Sequence, residues 1–256
     1  MKKIKIYLSF VLFTVMAIQN SSCKKIEEAI LKDPCADFKF CNIKSYSNSF
    51  NTATFTYDAF GNPLSVTNTV VGSGQPNLQF KYDKLHRLTE FIRPYANGDF
   101  EQWTKYIYDA SGRIAFDTTW ALGRITPTGP ANYFQARLTT YTYDGTCRVI
   151  KTSSTVLGDE GGFPSVFVYS YDVNGNLIRP GIVYDNKVNI HRTNKVFMFV
   201  DRDYSMNNPF TATNYNAYSL PRTIDLPQQP IFFLFRGISN STFVYECDLD
   251  KSRSVQ

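Results

Sequence analysis

The chain has 256 residues, 43% hydrophobic and 16% aromatic, with a formal net charge of +5. Three of those charges, Lys2, Lys3 and Lys5, lie in the first 22 residues, which hold no acid, so the other 234 residues carry only +2. That balance offers no basic field for nucleic acid, and the length suits one large all-β domain or two small ones.

Residues 1–22 read as a signal peptide. The three lysines precede an apolar run from Ile6 to Ile18, too short to span a bilayer, and then the small polar stretch Asn20-Ser21-Ser22 before Cys23. A cysteine directly after small residues resembles the lipobox of bacterial lipoproteins, although Asn20 stands where the family usually has Leu. The resemblance implies that Cys23 is lipidated and that its acyl chains hold the protein on a membrane. Residues 23–50 are then lipid attachment and linker, with Lys24 to Asp33 a short charged helix or tether.

Setting Cys23 aside, Cys35, Cys41, Cys147 and Cys247 remain, an even number that fits disulfides in an exported protein. Three connectivities exist. The short spacer Ala36 to Phe40 favours Cys35 with Cys41, which leaves Cys147 with Cys247.

From residue 51 to 193 the chain repeats itself. Tyr-Asp occurs at Tyr57-Asp58, Tyr82-Asp83, Tyr108-Asp109, Tyr143-Asp144, Tyr171-Asp172 and, in a weaker setting, Tyr184-Asp185. An aromatic or β-branched residue two positions before each Tyr shares its side of a strand, because side chains alternate. The Asp opens a turn through its carboxylate. Three residues later Gly61, Gly112 or Gly175 supplies a left-handed position; His86, Cys147 and Val188 fill that slot elsewhere, and Val tolerates it worst, so the last copy should turn differently. Apolar Leu88, Ile114, Val149 and Leu177 then start the returning strand, with Pro63 in the first copy. Each copy is therefore a hairpin, and the series is an antiparallel meander. Insertions fall in the looser connections around Val71–Pro76, Arg93–Gly98, Thr126–Pro130 and Gly158–Pro164, which should line the rim opposite the tight turns.

The pattern aromatic-x-Tyr-Asp-x-x-Gly-Arg-Leu/Ile resembles the YD (Rhs-type) repeat of toxin shells and of shorter cell-envelope lipoproteins. The resemblance covers Phe55 to His191 and implies the shorter type: an envelope lipoprotein in the outer membrane of a Gram-negative cell. It names no ligand.

Residues 194–256 change in composition and are expected to complete the same domain. Thr242 to Cys247 alternates like a final strand, Val196 to Asn208 allows a helix packed on the sheet, and Asn208 to Gln229 reads as loop. The expected fold is all-β, one large twisted or rolled sheet of hairpins with a short C-terminal helix as the added element.

No nucleophile, metalloprotease or phosphate-loop motif is present, and no cofactor or metal is implied. His86 and His191 are read as structural, and Asp172 to Asn176 resembles a calcium loop only superficially, since Val183 stands where a bidentate Glu is needed. Aromatics near the long-loop rim, namely Tyr95, Phe100, Trp103, Trp120, Tyr133, Phe134 and Phe163, are the candidates for contact with a glycan or a partner protein. Two rival readings are a carbohydrate-active hydrolase using Asp159 and Glu160, and a purely structural envelope protein.

Overall fold

The computed structural model describes residues 41–158, 164–225, 234–235 and 237–247. Cys23, Cys35, Asp159, Glu160 and Phe163, on which several expectations rest, lie outside the described residues.

The strands run in chain order as β1 (Cys41–Ser47), β2 (Thr52–Tyr57), β3 (Pro63–Asn68), β4 (Leu78–Tyr82), β5 (Leu88–Pro94), β6 (Asp99–Tyr108) and β7 (Ile114–Thr126). After the short β8 (Gly129–Ala131) come β9 (Gln135–Tyr143), β10 (Val149–Leu157), β11 (Ser165–Val168), β12 (Ala212–Tyr215), β13 (Pro221–Ile224) and β14 (Ser241–Cys247). They form one open antiparallel sheet in the order β11-β10-β9-β7-β6-β5-β4-β3-β2-β1-β14-β13-β12, with β8 beside β7. From β1 to β11 this is the expected meander. The last strand then returns to lie beside the first.

That return decides the disulfides. Cys41 and Cys247 face each other across the β1–β14 ladder and are bonded, with Cα atoms 4.0 Å apart. The expected Cys35–Cys41 and Cys147–Cys247 bonds are therefore corrected; a short spacer counts for less than a register that places two cysteines opposite. Cys147 is disulfide-bonded as well.

The stretch 208–229, expected to be loop, contains β12 and β13, so that reading is corrected too. Both belong to an unrecognised hairpin in which Tyr215-Asn216 replaces Tyr-Asp. The Asn216 side chain accepts from the N–H groups of Tyr218 and Leu220, and Ser219 takes the left-handed slot at φ 61. Tyr215 pairs with Pro221 as Tyr57 pairs with Pro63.

The helix, α1 (Lys195–Asp201), lies against one face of the sheet. Asn194 caps it by accepting from the Val196 N–H, and its amide donates to the Gly61 carbonyl at 2.9 Å, which ties the helix to the first hairpin turn. Val196 through Val200 are all buried, so this helix shows no apolar stripe for a sequence to reveal. Phe197 packs edge-on to Phe55 and contacts Phe80, while Phe199 meets Tyr106 and Tyr141. These contacts form the main core on the face that carries the repeat tyrosines.

Candidate functional site

The tight turns occupy one rim and repeat a single set of contacts. In the first turn the Asp58 carboxylate accepts from the N–H groups of Phe60 and Asn62, and the Gly61 N–H returns to the Asp58 carbonyl. Asp83, Asp109, Asp144 and Asp172 do the same. Gly61, His86, Gly112, Cys147 and Gly175 all have positive φ, between 58 and 80. The sixth copy departs as expected. Val188 lacks a positive φ, and the Asp185 carboxylate, which still accepts from the Lys187 N–H, takes the backbone and amide of Asn208 in place of the N–H four residues on.

Two ladders run along this rim. Each repeat tyrosine donates its hydroxyl to the first carbonyl of the preceding return strand: Tyr82 to Pro63 at 2.8 Å, Tyr108 to Leu88 at 2.9 Å, Tyr143 to Ile114 at 2.8 Å and Tyr171 to Val149 at 3.3 Å. Tyr57 reaches Ile43, and Tyr245 reaches Pro221 in the hairpin that the sequence concealed. The second ladder is ionic. Arg87, Arg113 and Arg148 pair with the Asp of their own turn and lie over the next tyrosine, with guanidinium-to-ring distances of 4.5 Å to Tyr108, 5.3 Å to Tyr143 and 4.1 Å to Tyr171.

The environment sets the charges. Hydrogen bonds hold Asp83 and Asp109 below the usual carboxylate range, led by the Arg87 N–H for the first and the Ser111 side chain for the second. Burial pushes the Tyr108 phenol up to about 12 and raises Tyr57, Tyr82, Tyr143 and Tyr171 further. None of these groups is poised to exchange a proton near neutrality. A cleft of about 270 Å³ between this rim and α1 is lined by Arg87, Arg113, Tyr108, Tyr143 and Lys195, but its arginines are already paired.

The opposite rim is irregular. Arg93 is buried and pairs with Glu101 at 2.7 Å; Glu101 also accepts from the Tyr95 hydroxyl and the Gly74 N–H, which pins the 72–75 loop. Tyr95 is thus engaged in holding the rim together. Phe100 and Trp103 are only 1% and 5% exposed and form a second small core with Ile92, on the face opposite the main one. As binding candidates they are corrected. Lys81 and Trp120 cover the Trp103 ring, and Gly123 gives Phe100 its space, since a Cβ there would lie 2.6 Å from the Phe100 ring.

The remaining candidates converge. Trp120 is half-buried and meets Tyr133 edge-on at 6.4 Å, while Tyr133 and Phe134 are 44% and 80% exposed. Leu122, 56% exposed, joins them, and the Phe134 N–H is shared between the carbonyls of Ala121 and Leu122. The backbone here is unusual: Leu122 and Asn132 are left-handed, at φ 51 and 50. Asn accepts that conformation readily and Leu does not, so strain is held beside an open aromatic ledge. Sequence reasoning missed Leu122, because nothing local marks a strand leucine as left-handed.

His191 is fully buried between Asn189 and Asp201, 2.8 Å from the latter, and joins the turn before α1 to the helix end. Among the described residues no three His, Cys, Asp or Glu side chains gather as a metal would need, and no helix is long and apolar enough to cross a membrane.

No family model and no curated protein matches the chain. Among solved structures it is similar to a chain of the TcdB2-TccC3-Cdc42 crystal structure, with 16% identity over 70% of this chain and 11% of that one, at a TM-score of 0.29. It is also similar to a chain of the Photorhabdus luminescens Tc holotoxin pore, with 14% identity over 69% and 10%, at a TM-score of 0.23. The present chain spans about a tenth of the length of those Tc toxin components.

Proposed function

We propose that this is a non-catalytic, lipid-anchored envelope protein of the YD-repeat type whose aromatic ledge binds a glycan or a partner protein. The observation that carries the binding reading is the exposure of Tyr133 and Phe134 beside Trp120 on backbone held left-handed at Leu122 and Asn132. Aromatic faces with a polar tip suit the apolar face of a sugar ring or the anchor residue of a partner. The YD reading is supported by five turns with one contact set. The anchor reading is supported by the sequence, in which lysines, an apolar run and small residues lead directly to Cys23.

Glycan arrays and pull-downs with the wild type and a Tyr133→Ala/Phe134→Ala variant test the ledge. Binding abolished in the variant while the fold is kept supports it; equal binding by both places contact elsewhere, and no binding by the wild type in either assay favours a purely structural role. Fatty-acid labelling tests the anchor. Label that persists in Cys23→Ala, or is missing from the wild type, removes the lipoprotein reading.

A further inference from the structure

The end of the sheet at β11 is apolar and exposed. Ser165-Val166-Phe167-Val168-Tyr169-Ser170 carries no charge, proline or glycine, and Val166, Phe167 and Val168 are 51%, 58% and 71% exposed. Their inner side is taken, because β11 pairs with β10 through Thr152↔Phe167 and its neighbours, and the Tyr169 N–H continues that ladder to Ile150 at 2.8 Å. Antiparallel backbone groups alternate in direction, so Phe167 bonds inward as Tyr169 does, and the N–H and C=O groups of Val166 and Val168 point out of the sheet. Among the described residues nothing bonds to them from that side. The return strand of the fifth hairpin covers only the lower part of this edge, through the Ile178 N–H to Ser170. The other end of the sheet is guarded, since Tyr215 of β12 bonds Asp185 and lies beneath Lys187. Soluble sheets normally block an apolar edge of this kind with charge, proline or a covering element.

We infer that the β11 edge is a docking strand and that its occupant is β11 of a second copy of this chain. The sequence Val166-Phe167-Val168 reads the same in both directions. A two-fold axis at Phe167 therefore sets Val166 opposite the other copy's Val168 and the two phenylalanines opposite each other. In that register the four outward-facing valines exchange all their backbone hydrogen bonds, and Phe167 falls at a non-hydrogen-bonded pair, where Cα atoms come within about 4.5 Å. The two sheets join into one, a closed isologous contact that leaves no further edge for growth at this end.

Engineered cysteines in the full-length chain test the pairing. Phe167→Cys should give a covalent dimer under mild oxidation, with the peptide that joins position 167 of the two copies recovered, while Val173→Cys, still more solvent-accessible and off the strand, should not. Val168→Pro removes only an outward-facing N–H and should abolish that cross-link with the thermal transition retained. Should the proline unfold the edge, Phe167→Lys must disperse the dimer in sedimentation. A wild type that sediments as a monomer through the micromolar range overturns the inference. So does equal cross-linking of the Phe167→Cys and Val173→Cys variants, or cross-linking of the Phe167→Cys variant to another protein alone.

Discussion

The two rims of the sheet are built from opposite principles. Along the tight-turn rim a single motif recurs with each polar group assigned a partner: the Asp holds its own turn, the Arg reaches from that Asp to the next tyrosine, and the tyrosine bonds the previous hairpin. Along the long-loop rim each connection is individual, and apolar and aromatic surface stays open beside strained backbone. Regularity marks where the fold is secured, and irregularity marks where the surface is available for contact.

The largest effect expected is loss of the Cys41–Cys247 bond, which spans 206 residues. Replacing both by Ser should lower the unfolding free energy by about 3–5 kcal/mol in denaturant titrations, through loop closure in the unfolded chain. Next come the turn glycines. Gly112→Ala meets no neighbour but must keep φ +80, costing about 1–2 kcal/mol; Gly175→Ala has the same backbone problem and also places a Cβ 2.7 Å from Met206, so it should cost more. If the two variants cost the same, packing behind the turn rim is looser than described.

The hydroxyl ladder predicts a smaller, pH-dependent effect. The buried phenols have folded values raised above the unfolded value of 10, so their stabilising contribution is intact below pH 10 and is lost as pH rises through about 12 for Tyr108 and higher for its neighbours. Tyr108→Phe should cost about 1 kcal/mol at pH 7 for the bond to Leu88 and flatten the alkaline loss measured by thermal unfolding. The turn aspartates run the other way: their folded values are lowered, so stability is present above 3.8 and declines as pH falls below it, and less so in Asp83→Asn.

The smallest effects on stability belong to the long-loop rim. Tyr133→Ala and Phe134→Ala should each change it by less than about 0.5 kcal/mol, as exposed positions do, while removing any ledge ligand. Leu122→Gly should raise stability by about 0.5 kcal/mol, the left-handed penalty less the glycine entropy cost. A loss instead would show that the Leu122 side chain has a packing role, and the contrast between the rims would weaken.

The meander was legible because its signals are local: an Asp, a left-handed slot and an apolar return lie within seven residues. His86 and Cys147 did not obscure it, since the slot is set by backbone geometry that the flanking contacts enforce. The hairpin at Tyr215-Asn216 stayed hidden because Asn216 and Ser219 keep the geometry and change both diagnostic letters. The disulfide was out of reach for another reason: it depends on β14 pairing with β1, a contact that no local pattern encodes. At the long-loop rim the sequence marked seven aromatics, of which Trp120, Tyr133 and Phe134 lie together on the ledge. It could not separate them from Phe100 and Trp103, whose burial comes from Lys81, Ile92 and Trp120 on neighbouring strands.

The bond between Cys41 and Cys247 also has a mechanical meaning. A pull that enters the described sheet at residue 41 meets a covalent link to β14 before it reaches any hydrogen bond of β1. The load is shared at once between two central strands, each paired on its other side with a further strand, β2 or β13. Such a sheet cannot be unzipped one strand at a time from that point, and a reductant would turn the same attachment from a rivet into a loose thread.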